Sequence, residues 1–273
     1  MITNYATPPH DSLSFFIAGY FLSTSAESSI SFNRPVIATN ETSLVFFLSD
    51  KPTYGWPPSV ASLTDSPICL IGLQTRCNGM LQFTGVYRAF IIHFRASGYH
   101  KIFGLSAADT IDRFFPGAAL LGTGVWQLYE KLRQARNLRE MAVSADAFLL
   151  ETLKRHDRKN IGVDGICRVS LMMYDTASPL AISAYARMAY MSMRNFERNF
   201  TSQVGISPKL YCRLMRFSEA MKRKNTQPAR TWTSIAHDCH YFDQMHFIRE
   251  CRQFSGLCPG ELVRQRLVTA ALV

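Results

Sequence analysis

The stretch HDCHYFDQMHFIREC, residues 237–251, sets three histidines and two cysteines within fifteen positions. Imidazole nitrogen and thiolate sulfur are ligands of structural zinc, which needs four donors converging tetrahedrally. Laid along a helix, the same stretch instead offers hydrogen-bonding side chains of the kind that read base edges in a DNA groove. The elements that position these residues decide between the two chemistries.

The N-terminal half offers less. His93 and His100 are its histidines in or beside an apolar, strand-like region, and there is no H-x-H pair of the sort that a metal-holding barrel uses. Phe46, Phe47, Trp56, Phe83, Tyr87 and Phe90 fit a packed core or an apolar ligand pocket, with core expected for most. No convergent titratable set stands out in residues 1–155, so an enzyme is not expected.

The 273 residues have room for two domains of ordinary size. With 47% apolar residues, folded structure is expected rather than disorder. No run reaches the roughly 18 apolar residues of a membrane span. The N-terminus MITNYATPPHDSLSFF lacks the basic and apolar regions of a secretory signal, so a cytoplasmic protein without a membrane partner is expected. Seven scattered cysteines without a C-x-x-C pair read as reduced, structural thiols. The net charge of +10 is uneven: residues 1–162 carry 15 Lys/Arg against 12 Asp/Glu, residues 163–273 carry 15 against 8. A basic C-terminal third points to a polyanionic partner.

Up to about residue 104 the pattern is strand and turn. TSLVFFLSD and GVYRAFIIHFRASG are β-type runs, the second alternating Tyr87, Ala89, Ile91 and His93 with Arg88, Phe90, Ile92 and Phe94. They predict a small β-sandwich or barrel. From about 106 the period becomes helical: Ser106 can cap a short helix, and Val125, Leu128, Leu132, Leu138, Met141, Phe148 and Leu149 mark two amphipathic helices over 124–155. These are expected to cover the β region. The polar stretch RHDRKNIGVDG, 155–165, reads as a linker.

The C-terminal third repeats itself. Shifted by 51 residues, SMRNFERNFTSQVGISPKLY (192–211) aligns with DQMHFIRECRQFSGLCPGEL (243–262). Ser192 and Asp243 are N-caps, Gly205 and Gly256 suit the left-handed position that ends a helix, and Ser207-Pro208 can start the next one. Phe196 with Phe200, and Phe247 with Cys251, lie four apart and share a buried face. Before each phrase sits a short helix, AYARMAYMS or SIAHDCHYFD, with Ala186 or Ala236 where two helices must approach closely. A helix, a tight turn and a capped second helix make the helix-turn-helix pattern, here present twice. Between the copies, Leu210, Leu214, Phe217 and Met221 mark the buried side of a long helix, with Lys209, Arg213, Arg216 and Arg223 on another stripe.

GISPKLYCRLMRFSEA and IAHDCHYFDQMHFIRECRQFSGLCPGEL resemble the DNA-binding domain of the AraC/XylS family of bacterial transcription regulators, over roughly residues 163–268. FIIHFRASGYHKIFG and the strands before it bear a weaker likeness to the cupin-like sensor domain of some members. The resemblance implies an α+β chain: a β-rich cupin-like sensor or dimerisation domain ending in two helices (1–155), a linker (156–162), and an all-α domain of two helix-turn-helix units on a long linker helix (163–273). Its partners would be double-stranded DNA, RNA polymerase and a second copy. A small-molecule effector would sit in the N-terminal domain, and no cofactor is implied. The two recognition helices would enter successive major-groove segments about 34 Å apart.

Carried over by position, the first recognition helix turns Arg194, Asn195, Glu197 and Arg198 towards bases, and the second turns Gln244, Met245, His246, Ile248 and Arg249. Lys209 and Arg252 would hold phosphates. On this reading Cys239 and Cys251 face the core while His237 and His246 point elsewhere, so no metal is expected. The sequence departs from the family at Tyr190 and His240, which stand where glycine is usual in each turn, and at Cys251, which replaces a large aromatic. These departures favour, as the alternative, a protein-interaction regulator with weakened DNA binding. A cupin-like enzyme with a regulatory helical domain ranks below it.

Overall fold

The run Arg88–Phe94 shows why the N-terminal region forms sheet. Successive side chains take opposite faces, and here Ala89 and Ile91 on one face and Phe90, Ile92 and Phe94 on the other are all buried. A strand apolar on both faces must be covered twice. The computed structural model describes residues 2–25, 30–56, 59–62, 66–156, 163–175 and 180–264. Its strands are β1 (Ile2–Thr7), β2 (Ile17–Ser25), β3 (Ile30–Pro35), β4 (Thr42–Phe47), β5 (Thr53–Trp56), β6 (Ser59–Ser62), β7 (Ile68–Ile71), β8 (Met80–Gly85), β9 (Arg88–Phe94) and β10 (Phe114–Pro116). They form a six-stranded sheet in the order β1-β2-β9-β4-β7-β10 and a four-stranded sheet β3-β8-β5-β6, with antiparallel neighbours.

The two sheets face each other, as the sandwich expectation requires. Val45, Phe47, Ala89 and Ile91 of the larger sheet pack with Phe83 of the smaller and with Tyr87. Tyr54 and Phe114 close the seam, ring centroids 4.6 Å apart. The larger sheet's outer face lies under α1 (Gly98–Phe103), α3 (Gly124–Gln134) and α4 (Leu138–His156), with the short α2 (Gly117–Leu121) between them. Leu44, Phe46, Phe90 and Ile92 share one core there with Leu128, Leu132, Met141 and Leu149. The amphipathic pair therefore covers the β region. Ser106 does precede a 3-10 turn, Ala107–Thr110, but its side chain makes no capping bond. The side chain of Trp56 lies outside the described residues.

The remaining helices are α5 (Gly165–Asp175), α6 (Ile182–Met188), α7 (Met193–Val204), α8 (Pro208–Thr226), α9 (Trp232–Asp238), α10 (Gln244–Ser255) and α11 (Pro259–Arg264). Their core is aromatic, built on Phe196, Phe200, Tyr211, Phe217, Phe247 and Phe254, and it takes in Ala38 and Leu73 of the β region. The seam between the halves is polar as well as apolar. The Ala38 amide donates to the Phe254 carbonyl at 2.7 Å. Lys101 Nζ and Gln203 Nε2 donate to the same oxygen of Asp164, at 2.6 and 2.8 Å. Arg155 and His156 end α4 and Gly165 opens α5, while residues 157–162 of the expected linker lie outside the described residues.

Candidate nucleic-acid interface

Each helix-turn-helix unit is closed by the same pair of backbone hydrogen bonds. After α6, the Tyr190 amide reaches the Arg187 carbonyl (2.9 Å) and the Met191 amide reaches that of Ala186 (3.0 Å). After α9, His240 reaches His237 (3.0 Å) and Tyr241 reaches Ala236 (3.0 Å). This nested pair is the Schellman ending of a helix, whose penultimate residue must be left-handed. Tyr190 and His240 occupy that position with φ of 56° and 57°. The non-glycine residues noted in the sequence therefore keep the glycine geometry.

The turns nevertheless differ in length. Ala186 to Ala236 and Tyr190 to His240 are offset by 50 residues, whereas the caps Ser192 and Asp243 are offset by 51. The extra residue is Phe242, which follows the shared Tyr241 bond and is 92% exposed. Sequence alignment of the recognition helices alone passes over it, although the unequal spacing from alanine to cap records it.

Both recognition helices begin as expected. The Asn195 amide donates to Ser192 Oγ at 3.4 Å, and the His246 amide to Asp243 Oδ1 at 2.6 Å. Gly205 and Gly256 end the helices with φ of 91° and 75°. On α7, Phe196 and Phe200 are buried while Arg194, Asn195, Glu197 and Arg198 are exposed, with Arg198 Nη2 3.4 Å from Asn195 Oδ1. On α10, Phe247, Cys251 and Phe254 are buried and Gln244, Met245 and Arg249 are exposed. His246 and Ile248 are half-buried; His246 Nε2 lies 3.5 Å from Glu250 and its ring meets the edge of Tyr241.

Helix α8 joins the units and is pinned to α10 by charge. Ser207 caps it, accepting from the Leu210 amide at 3.3 Å, with Pro208 in its first turn. Tyr211, Leu214, Phe217 and Met221 are buried along it, and Leu210 is half-buried. The Glu250 carboxylate, side chain 4% exposed, receives Arg213 Nε at 2.7 Å and Arg216 Nη2 at 2.9 Å. A buried carboxylate between two guanidiniums is held by charge-assisted hydrogen bonds. Arg213 also stacks over Phe254, and Arg216 over Tyr241 at 4.4 Å. Arg223, the fourth cation of that stripe, bonds Glu219 at 2.7 Å. An open cleft of about 710 Å³ runs from Leu180–Ile182 at the start of the first unit past Lys209, Arg213 and Arg216 to Arg249 and Gln253. Lys209 and Arg252 are exposed, and Arg252 Nε sits 3.0 Å from Cys258 Sγ.

The cluster at 237–251 disperses. The His237 side chain is 90% exposed, His240 is exposed in the turn, and Cys239 and Cys251 are buried. Burial pushes the Cys239 thiol up to about 11 and that of Cys251 up to about 12, so both stay protonated. Among the described residues, no three His, Cys, Asp or Glu side chains gather at a metal-sized point.

A family model described as a helix-turn-helix domain matches residues 185–265, and one described as a domain of unknown function (DUF6597) matches residues 5–116. A search of curated proteins found no match. Among solved structures, the chain is similar to ToxT from Vibrio cholerae (10% identity, 97% of this chain and 96% of that one, TM-score 0.47). It is likewise similar to a 1.65 Å structure of ToxT from the same organism (12%, 97% and 97%, 0.48) and to ToxT bound to an unsaturated fatty acid (10%, 96% and 94%, 0.47). The repeated turn, the paired caps and the matched model agree on one conclusion: residues 185–265 are a helix-turn-helix domain.

Proposed function

We propose that this protein is an effector-responsive transcription regulator that reads two successive major-groove segments of double-stranded DNA, one with α7 and one with α10. It acts by binding rather than catalysis. A regulatory domain over residues 1–155 joins a DNA-binding domain over residues 163–273, and the pair works in the cytoplasm as a dimer on two half-sites, in contact with RNA polymerase. Arg194, Asn195, Glu197 and Arg198 contact bases from the first unit. Gln244, Met245, His246, Ile248 and Arg249 do so from the second, with the half-buried His246 and Ile248 reaching less far. Lys209 and Arg252 hold phosphates.

The observation that carries this reading is the double occurrence of one geometry. Two units share a Schellman turn and a side-chain N-cap, and each exposes hydrogen-bonding residues near the start of its second helix, Arg194, Asn195 and Arg198 in one and Gln244 and Arg249 in the other. Arginine pairs with guanine, and Asn or Gln with adenine. The basic cleft between the units adds a surface that favours phosphate.

A gel shift on the upstream region of the protein's own gene, with random DNA as competitor, tests the reading. Affinity is expected to fall steeply with salt, and Arg198→Ala to weaken specific binding by about tenfold, a loss of 1–3 kcal/mol being usual for one base contact. Equal affinity for random DNA would refute it.

A further inference from the structure

The second helix-turn-helix unit carries one residue more than the first, and that residue is surplus to the fold. Tyr241 takes the part that Met191 plays in the first unit: its amide closes the turn on the Ala236 carbonyl, as that of Met191 does on Ala186. An apolar residue at the entry to a helix commonly packs on the helix's first turns and fixes the path of the chain. Half-buried Met191 packs against the helical core, and the Tyr241 ring stands 5.0 Å from that of Phe247. The entry contact is therefore complete before Phe242 is reached. Phe242 comes next, just ahead of the cap Asp243, and is 92% exposed.

Helix α10 extends this apolar surface. Met245 is 57% exposed and shares a helix face with half-buried Ile248 and exposed Arg249, three and four residues on. Shifted by 51 residues, Met245 and Ile248 stand where the first unit has Arg194 and Glu197, both exposed. Met193 aligns with Gln244, outside these positions. One recognition helix opens on charge, the other on an aromatic ring and a thioether.

We propose that Phe242 and Met245 determine specificity by packing on the 5-methyl groups of thymines, so that the second unit selects thymine by apolar contact while the first selects bases by hydrogen bonds. The inference rests on the reading of α10 as a recognition helix. The surroundings choose DNA as the occupant of this surface. Arg249 lies on the same face and lines one cleft with Lys209 and Arg213, so any partner meets cations beside the apolar side chains. A polyanion satisfies those cations. The thymine methyl is the apolar group on a major-groove base edge, among hydrogen-bond donors and acceptors. An apolar protein surface would instead bury Gln244 and Arg249 without partners, at a cost.

A gel shift on the upstream region of the protein's own gene, prepared once with thymine and once with uracil throughout, tests the proposal, because uracil lacks only the methyl. The full chain is expected to bind the uracil DNA about fifteenfold more weakly, each of two buried methyls being worth about fourfold. Phe242→Ala is expected to shrink that ratio to about fourfold, and Phe242→Ala combined with Met245→Ala to abolish it. Arg198→Ala, in the first unit, is expected to weaken binding to both DNAs and leave the ratio as it was. Both apolar side chains are exposed, so circular dichroism is expected to show one fold throughout. A ratio that persists in the double variant would assign it to the shape of uracil DNA and overturn the proposal. Equal wild-type affinity for the two DNAs, with both preferred over random DNA, would also overturn it and leave the regulator reading standing. If the double variant then changes the sedimentation of the free chain, the surface is an interface between copies. No preference for either upstream DNA over random DNA would sink the regulator reading and the proposal with it.

Discussion

Tyr190 and His240 offer a direct measurement of backbone strain, because each holds a left-handed conformation and neither packs. Tyr190 is 90% exposed, His240 is exposed, and their φ angles are 56° and 57°. For an L-residue that conformation costs about 1–2 kcal/mol, from the approach of Cβ to the carbonyl oxygen. Replacement by glycine removes the cost. Against this, glycine has more freedom to lose on folding, worth about 0.4–1 kcal/mol. The net expectation for Tyr190→Gly is a gain of about 0.5–1 kcal/mol. His240→Gly should gain less, about 0.3 kcal/mol, since histidine visits this region more readily. The double variant should show the sum, as the two turns share no partner.

Urea denaturation of the full chain, followed by circular dichroism, reads these differences, and the thermal midpoint should rise by about 1–4 °C for Tyr190→Gly. The control is Tyr190→Ala, which removes the ring and keeps Cβ. If strain is the cause, alanine gains nothing. Equal stabilisation by alanine and glycine would assign the effect to the exposed ring. Destabilisation by glycine would show that the turn holds its shape without cost, and the reasoning would fail.

Three further outcomes are expected. Glu250→Ala, which strands Arg213 and Arg216, should cost about 3 kcal/mol in chemical denaturation, the low end for a broken buried pair because both guanidiniums keep some solvent; a cost below about 1 kcal/mol would show that α8 and α10 are held by packing alone. Phe242→Ala should lower specific DNA affinity about fivefold in a gel shift while changing folding stability by less than about 0.5 kcal/mol, since the ring touches solvent at the start of a recognition helix; unchanged affinity would remove it from the interface. For Glu41, burial lifts the native carboxyl to about 7 against about 4.3 unfolded, with Arg95 opposing the shift and His93 3.5 Å away. The native state keeps a proton that the unfolded chain releases, so this group's contribution falls from about pH 4.5 to 7 and stays low above it. Glu41→Gln should therefore add about 3 kcal/mol at pH 8 and little at pH 4, and a pH-independent difference would contradict the shift.

What the chain discloses before it folds is local, and the helix-turn-helix units show how far that reaches. A serine or aspartate three residues before the amide it accepts from, a glycine at a helix end and two phenylalanines four apart are short-range relations, and each kept its predicted place at Ser192, Asp243, Gly205 and Phe196. The alternation in β9 was equally legible, since one residue's face fixes the next. Relations between distant segments were not. Arg213 and Arg216 read as part of one basic stripe on a long helix, yet their counter-charge is Glu250, some 35 residues on, in a position that charge alone would place outside. The strand order and the bond from Ala38 to Phe254 depend in the same way on pairing that no local pattern encodes.

Phe242 is an intermediate case. The 51-residue shift that revealed the repeat was read from the recognition helices, where it holds, and it hid the 50-residue shift of the turns before them. An insertion at that point leaves the Schellman bonds and the N-cap intact on either side, so neither geometry resists it. It has to be absorbed in the one residue between them, and the side chain there goes into solvent. The two units are therefore alike in how they fold and unlike at the residue that enters each recognition helix, half-buried Met191 in the first and exposed Phe242 in the second. A difference in what the two units read should begin there.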